Sequence, residues 1–196
     1  MLSKRQKDQR NLRKESILEG ALKVFKVHGI EKTTMDEIAI ESGFGKATLY
    51  YYFASKDEVF IAIMEDGWKK LWEAIESKIV EELGPRKKFM GIIKTMANVV
   101  KSNKILYGFL FTAPNHIQDE SKQVWKTYQE RLYAILKSII EEGIKKKEFI
   151  NLNPGMLMKA IGGLFHGLLI ENKDDLNDKE FELMLKNFLR PENEKN

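Results

Sequence analysis

Apolar residues recur along this chain every three or four positions, and no stretch alternates apolar with polar residues as a half-buried strand would. The pattern predicts an all-α protein of about nine helices. A first helix, from about Lys7 to His28, aligns Ile17, Ala21, Val24, Phe25 and His28 on one face and stops at Gly29. His28 then serves as a helix-end cap or packing residue rather than a ligand. Thr34 and Glu37 have the spacing of a capping box, so a second helix starts near Thr34 with Met35, Ile38, Ala39 and Ser42 as its inner stripe. Gly43 supplies the left-handed residue that ends it, and a short third helix follows from Gly45 to Phe53. Ser55 and Glu58 form another box, from which Phe60, Ile63, Met64, Trp68, Leu71, Trp72, Ile75 and Ile79 continue to Leu83, where Gly84 and Pro85 break the helix. At ~1.5 Å per residue this helix is about 40 Å long.

Further helices are expected over Phe89 to Lys101, Lys104 to Phe111 before Pro114, and from near Ser121, where Val124, Trp125, Tyr128, Leu132, Ile135, Leu136, Ile139 and Ile140 make the stripe. Gly143 and the run Lys145 to Lys147 mark the C-terminal turn of that last one. Two more run from Pro154 to about Ile170 and from Asp178 to Arg190, before Pro191.

The segment from Thr33 to Lys56 therefore reads as a helix-turn-helix. On its second helix Leu49 and Phe53 lie above one another, with Tyr52 beside them, and this side packs inward. Ala47 and Tyr51 point the other way, flanked by Thr48 and Tyr50 and introduced by Lys46. Small residues permit entry to a major groove, while hydroxyls and an ammonium reach bases and phosphates. Lys56, in the first turn of the next helix, is unfavourable for the helix dipole and calls for a compensating anion such as phosphate.

Charge follows the same division. Residues 1 to 56 hold 11 Lys and Arg against 7 Asp and Glu, whereas the remainder holds 22 against 22. Lys4, Arg5, Lys7, Arg10, Arg13 and Lys14 form a basic arm that either follows the phosphate backbone or a minor groove, or frays into solvent.

Thr33-Thr34, Ile38-Ala39, Gly43, Lys46, Thr48-Leu49-Tyr50-Tyr51-Tyr52-Phe53 and Ser55-Lys56 resemble the N-terminal signature of the TetR family of transcriptional regulators. The likeness covers roughly residues 10 to 60; beyond them only length and helical layout agree. It departs at Gly45, where the family commonly has Ser, and at Ala47, where it often has Gly. The resemblance implies DNA contacts at Thr34, Lys46, Ala47, Thr48, Tyr50, Tyr51 and Lys56. Thr34, Lys46, Tyr51 and Lys56 suit phosphates, and Ala47, Thr48 and Tyr50 suit base edges. It also implies a DNA-binding domain over residues 1–54 and a helical effector-binding and dimerisation domain over 55–196.

In the second part Gly162, Gly163 and Gly167 interrupt an apolar helix, and each costs ~1 kcal/mol relative to alanine. Close approach of a helix explains them, either from a neighbour in the same subunit or from a second copy. Together with His166 and with Phe181, Leu185 and Phe188 on the final helix, they form the candidate homodimer interface, which the resemblance also implies. A dimer would read a palindromic operator in double-stranded DNA. Trp68, Trp72, Met96, Phe109, Trp125, Tyr128 and Phe165 are core residues or candidates for lining a cavity for an apolar or amphipathic ligand, and the resemblance implies that a small molecule binds between these helices. His116 and His166 are possible polar anchors.

Composition removes other classes. There is no cysteine, which excludes disulfides, thiol chemistry and zinc fingers. Three scattered His, without Gly-x-Ser-x-Gly, His-Glu-x-x-His or a phosphate-cradling glycine loop, offer no catalytic residue, metal site or cofactor. No apolar run reaches the ~18 residues of a membrane span, and the charged start lacks a signal peptide's apolar region, so a cytoplasmic protein is expected. A helical adaptor that binds no DNA would leave the outward Thr, Tyr and Lys and the localised charge unexplained. The reading is a dimeric, ligand-responsive DNA-binding regulator acting as a repressor.

Overall fold

The computed structural model describes residues 3–80, 83–112, 124–171 and 177–189. Among them are nine α-helices and no strand: α1 Lys4–Lys32, α2 Met35–Ser42, α3 Lys46–Tyr52, α4 Lys56–Val80, α5 Pro85–Ser102, α6 Lys104–Thr112, α7 Val124–Lys145, α8 Pro154–Phe165 and α9 Asp178–Phe188. Pro114, His116, Ser121, Pro191 and the side chain of Phe188 lie outside the described residues. The rest falls into two compact units. One holds the chain as far as Gly67, with Thr112, Val124 and Trp125; the other holds Trp68–Phe111 and the residues from Lys126 onward.

The first unit is built on α1, α2 and α3. Ser3 and Gln6 form a reciprocal capping box that starts α1 well before Lys7, so the basic arm is helical. Gly29 breaks α1 at φ 75°, a value that favours glycine. Ile17, Ala21, Val24 and Phe25 are buried as their spacing predicts, but His28 is exposed, because the kink follows directly and the helix face ends there. Gly20 is where α1 crosses α2: a Cβ would stand 2.8 Å from the Ser42 backbone. Gly43, at φ 73°, ends α2, its N–H bonded back to Ile40. Val59, Phe60, Ile63 and Met64 of α4 complete the buried set of this unit.

The second unit packs α5 against α9 and against a π-helical turn, His166–Glu171, that continues α8. The α8 element expected to reach Ile170 therefore changes its hydrogen-bond register at His166. Gly84 and Pro85, beyond the end of α4, also begin α5: Gly84 is its N-cap and Pro85 takes the first helical position, where its missing N–H costs nothing. Glu148 supplies the cap that α5 lacks locally, its carboxylate accepting from the Arg86 N–H at 2.9 Å. Gly143 lies in the last turn of α7, which ends at Lys145 as the basic run predicts. Its role is close packing: a Cβ there would lie 2.2 Å from the Phe149 ring, which is buried edge-on against Phe89 at 5.8 Å.

Candidate DNA-binding surface and ligand cavity

The face of α3 is set by its burial. Leu49 is fully buried and Phe53 nearly so, whereas Tyr50 keeps 53% and Tyr51 70% of its surface exposed. Lys46 and Ala47 are exposed and Thr48 is half-buried. Tyr51 stands edge-on to Tyr52 at 5.2 Å, a packing that holds its ring outward. Two cations of α1 join this surface. The Arg10 guanidinium lies 5.9 Å from the Tyr51 ring and the Lys14 ammonium 5.7 Å from that of Phe53. Sequence periodicity showed these residues as basic but not that α1 delivers them beside α3.

The Thr34 cap is complete. Its N–H donates to a Glu37 carboxylate oxygen at 2.7 Å, its hydroxyl donates to the same oxygen at 2.9 Å, and the Glu37 N–H donates back to the hydroxyl at 3.3 Å. The Thr34 backbone N–H, and then its hydroxyl, hold the Glu37 carboxyl below the ordinary glutamate value. Lys46 pairs with Asp36 of α2, both side chains being largely exposed. Such a pair contributes little and yields readily to a phosphate. Lys56 is engaged differently. Its ammonium donates to the carbonyls of Ile30, Glu31 and Thr33 at 2.9, 2.7 and 3.0 Å, so the charge compensation expected from an anion comes from the end of α1. All three N–H groups of an ammonium are then used.

The second unit contains a cavity of about 250 Å³. Three faces meet at it: Phe89, Ile93 and Met96 of α5; Gln129, Leu132, Tyr133 and Leu136 of α7; and Met158, Ile161, Gly162 and Phe165 of α8. Trp68, Phe111, His166 and Ile170 close it. Trp68 and Phe165 flank Phe111 edge-on at 5.5 and 6.0 Å. Of the aromatic and Met candidates, Trp68, Met96 and Phe165 line the cavity, and Trp72, Phe109, Trp125 and Tyr128 do not. Trp72 packs under the Arg131 guanidinium at 4.3 Å and beside Tyr128, and its indole N–H donates to Glu76 at 3.4 Å. The missed lining residues each follow the i, i+3 or i+4, i+7 spacing of a single stripe.

The proposed interface residues divide. Among the described residues a Cβ on Gly162, Gly163 or Gly167 would meet nothing within 4 Å, so no described helix of this chain explains those glycines. Phe181 and Leu185, by contrast, are buried inside the chain itself, while Leu183 and Met156 are the exposed apolar residues nearby in sequence. His166 faces Glu171, Nδ1 to Oε1 at 3.4 Å, as well as lining the cavity.

Residues 17–63 match the family described as "Bacterial regulatory proteins, tetR family". The uncharacterized HTH-type transcriptional regulator YfiR of Bacillus subtilis is 30% identical, over 79% of this chain and 83% of its own. The chain belongs to the TetR family. Among solved structures, the TetR family regulator PfmR of Thermus thermophilus superposes with a TM-score of 0.75 at 21% identity, over 90% of this chain and 98% of its own. AibR, solved in complex with isovaleryl coenzyme A and operator DNA, superposes with a TM-score of 0.73 at 18% identity, over 90% and 97%. The protein is thus a TetR-family transcriptional regulator with a helix-turn-helix DNA-binding domain. No described helix is long and apolar enough to cross a membrane.

Proposed function

We propose that this TetR-family member is a homodimeric repressor that reads a palindromic operator with α3 and releases it when a small apolar or amphipathic molecule enters the cavity of its second unit. The observation that carries the reading is α3 itself: Leu49 and Phe53 are committed to the core while Tyr50 and Tyr51 stand exposed in a field of Lys46, Arg10 and Lys14. Ala47, Thr48 and Tyr50 face base edges; Lys46, Tyr51 and Thr34 face phosphates. Lys56 acts by positioning, holding the turn between α1 and α2. The glycine face of α8, with Leu183 and Met156, meets a second copy, because no described neighbour in the chain requires these helix-weakening residues. Effector binding is supported by the enclosed apolar cavity and by the small-molecule complex of AibR. α4 contributes residues to both units and is one of the covalent routes between them.

The test is a fluorescence-anisotropy titration against the intergenic DNA beside the protein's own gene, with excess random competitor. Competitor-resistant binding that falls steeply between about 50 and 200 mM salt is expected. Binding that random DNA competes away equally at that site and at other candidate operators would overturn the reading.

A further inference from the structure

Trp68 is 2% exposed, lines the cavity, and its indole N–H is buried with no acceptor among the described residues. A phenylalanine would fill the same wall beside Phe111 without burying a donor, and an unpaired buried N–H is costly. Trp72, one turn later on the same helix, has its N–H satisfied by Glu76. Among the described residues that line the cavity there is no Lys, Arg, Asp or Glu. Gln129 and Tyr133 are exposed to solvent as well as lining it, which puts them at its opening. A molecule held here meets the fixed Trp68 donor in an apolar, partly aromatic shell, with the His166 imidazole, which faces Glu171, as the other polar group of the inner wall.

We propose that the effector is an uncharged, mainly apolar carbonyl compound whose oxygen accepts the Trp68 indole N–H. The inference rests on the ligand-cavity reading above and names the chemistry of that site. Its size follows from volume. Since a cavity of about 150 Å³ holds benzene, one of about 250 Å³ encloses roughly ten non-hydrogen atoms. The charged portion of a coenzyme thioester finds no room inside it and no Lys or Arg among the described residues that line it.

The test uses the full-length protein and three probes of similar shape: butyrophenone, butylbenzene and 4-phenylbutanoate, titrated by calorimetry. Wild type is expected to bind the ketone about three- to tenfold more tightly than the hydrocarbon, the increment of one neutral hydrogen bond. It is expected to bind the carboxylate most weakly. Trp68→Phe should bring the ketone down to the hydrocarbon's affinity and leave the hydrocarbon within about twofold. In wild type the indole N–H resonance that disappears in Trp68→Phe should shift with the ketone and not with the hydrocarbon. This readout remains decisive if the variant is unstable.

Ketone and hydrocarbon binding equally to wild type, or an unmoved indole resonance, would overturn the anchor while leaving the cavity reading intact. Tighter binding of 4-phenylbutanoate, or of isovaleryl coenzyme A added as a fourth probe, would overturn the uncharged class. Failure of all four probes to bind would instead count against the ligand cavity itself.

Discussion

At the scale of single residues, the two kinds of DNA contact proposed for α3 separate by experiment. Tyr50→Ala removes an exposed side chain placed for base edges and should cost cognate DNA about tenfold or more in affinity, with random DNA much less affected. Lys46→Ala should weaken both alike and lower the salt slope by about one. Its ion pair with Asp36 does not protect it, because exposed pairs of this kind contribute at most ~1 kcal/mol. Equal losses on both DNAs in the Tyr50 variant would assign Tyr50 to positioning. The outward residues were legible in the sequence because a seven-residue helix with two buried anchors leaves its faces little freedom. The engagement of Lys56 was not: its carbonyl partners lie some 23 to 26 residues away in the chain, and no periodicity connects them.

At the scale of elements, caps and close approaches decide where helices start and cross. The Glu37 carboxyl is held below its ordinary value, so it binds a proton more readily in the unfolded chain than in the folded one. Its contribution is present above the unfolded value of about 4.3 and is lost as pH falls through the folded one. Thermal melts from pH 6 to pH 3 should therefore show a steeper decline for wild type than for Glu37→Gln, whose side chain still accepts at the cap without titrating. Matching pH profiles would remove Glu37 from the account. Gly143→Ala should destabilise by about 1–3 kcal/mol, since the Phe149 ring at 2.2 Å is itself fixed against Phe89. A melting temperature unchanged from wild type would show that the ring yields. The sequence placed Gly143 in the C-terminal turn of α7, where it lies. Only the return of the chain to Phe149 shows that the position serves packing.

At the scale of the whole molecule, the glycines of α8 distinguish a monomer from an assembly. Gly163 meets nothing within 4 Å, so in an isolated chain Gly163→Ala should stabilise the helix by up to ~1 kcal/mol. If a second copy packs there, the added methyl instead weakens association. Sedimentation of wild type and variant at micromolar concentration, read beside their melting curves, separates the cases: a monomeric wild type with a stabilised variant would exclude this surface as the interface.

By itself the sequence determined the all-α class, nearly every helix, the capping boxes, the helix-turn-helix and the outward face of α3. These are local properties, written in the spacing of apolar residues and in cap chemistry over a few neighbours. Only the tertiary structure decided which stripes leave a cavity between them, that Trp68 borders it with an unpaired N–H while Trp72 does not, and that Phe181 and Leu185 are consumed inside the chain. A helical stripe records that a side chain is buried. What it is buried against depends on how far apart three helices come to rest, and that is set by volumes and crossings contributed from distant parts of the chain.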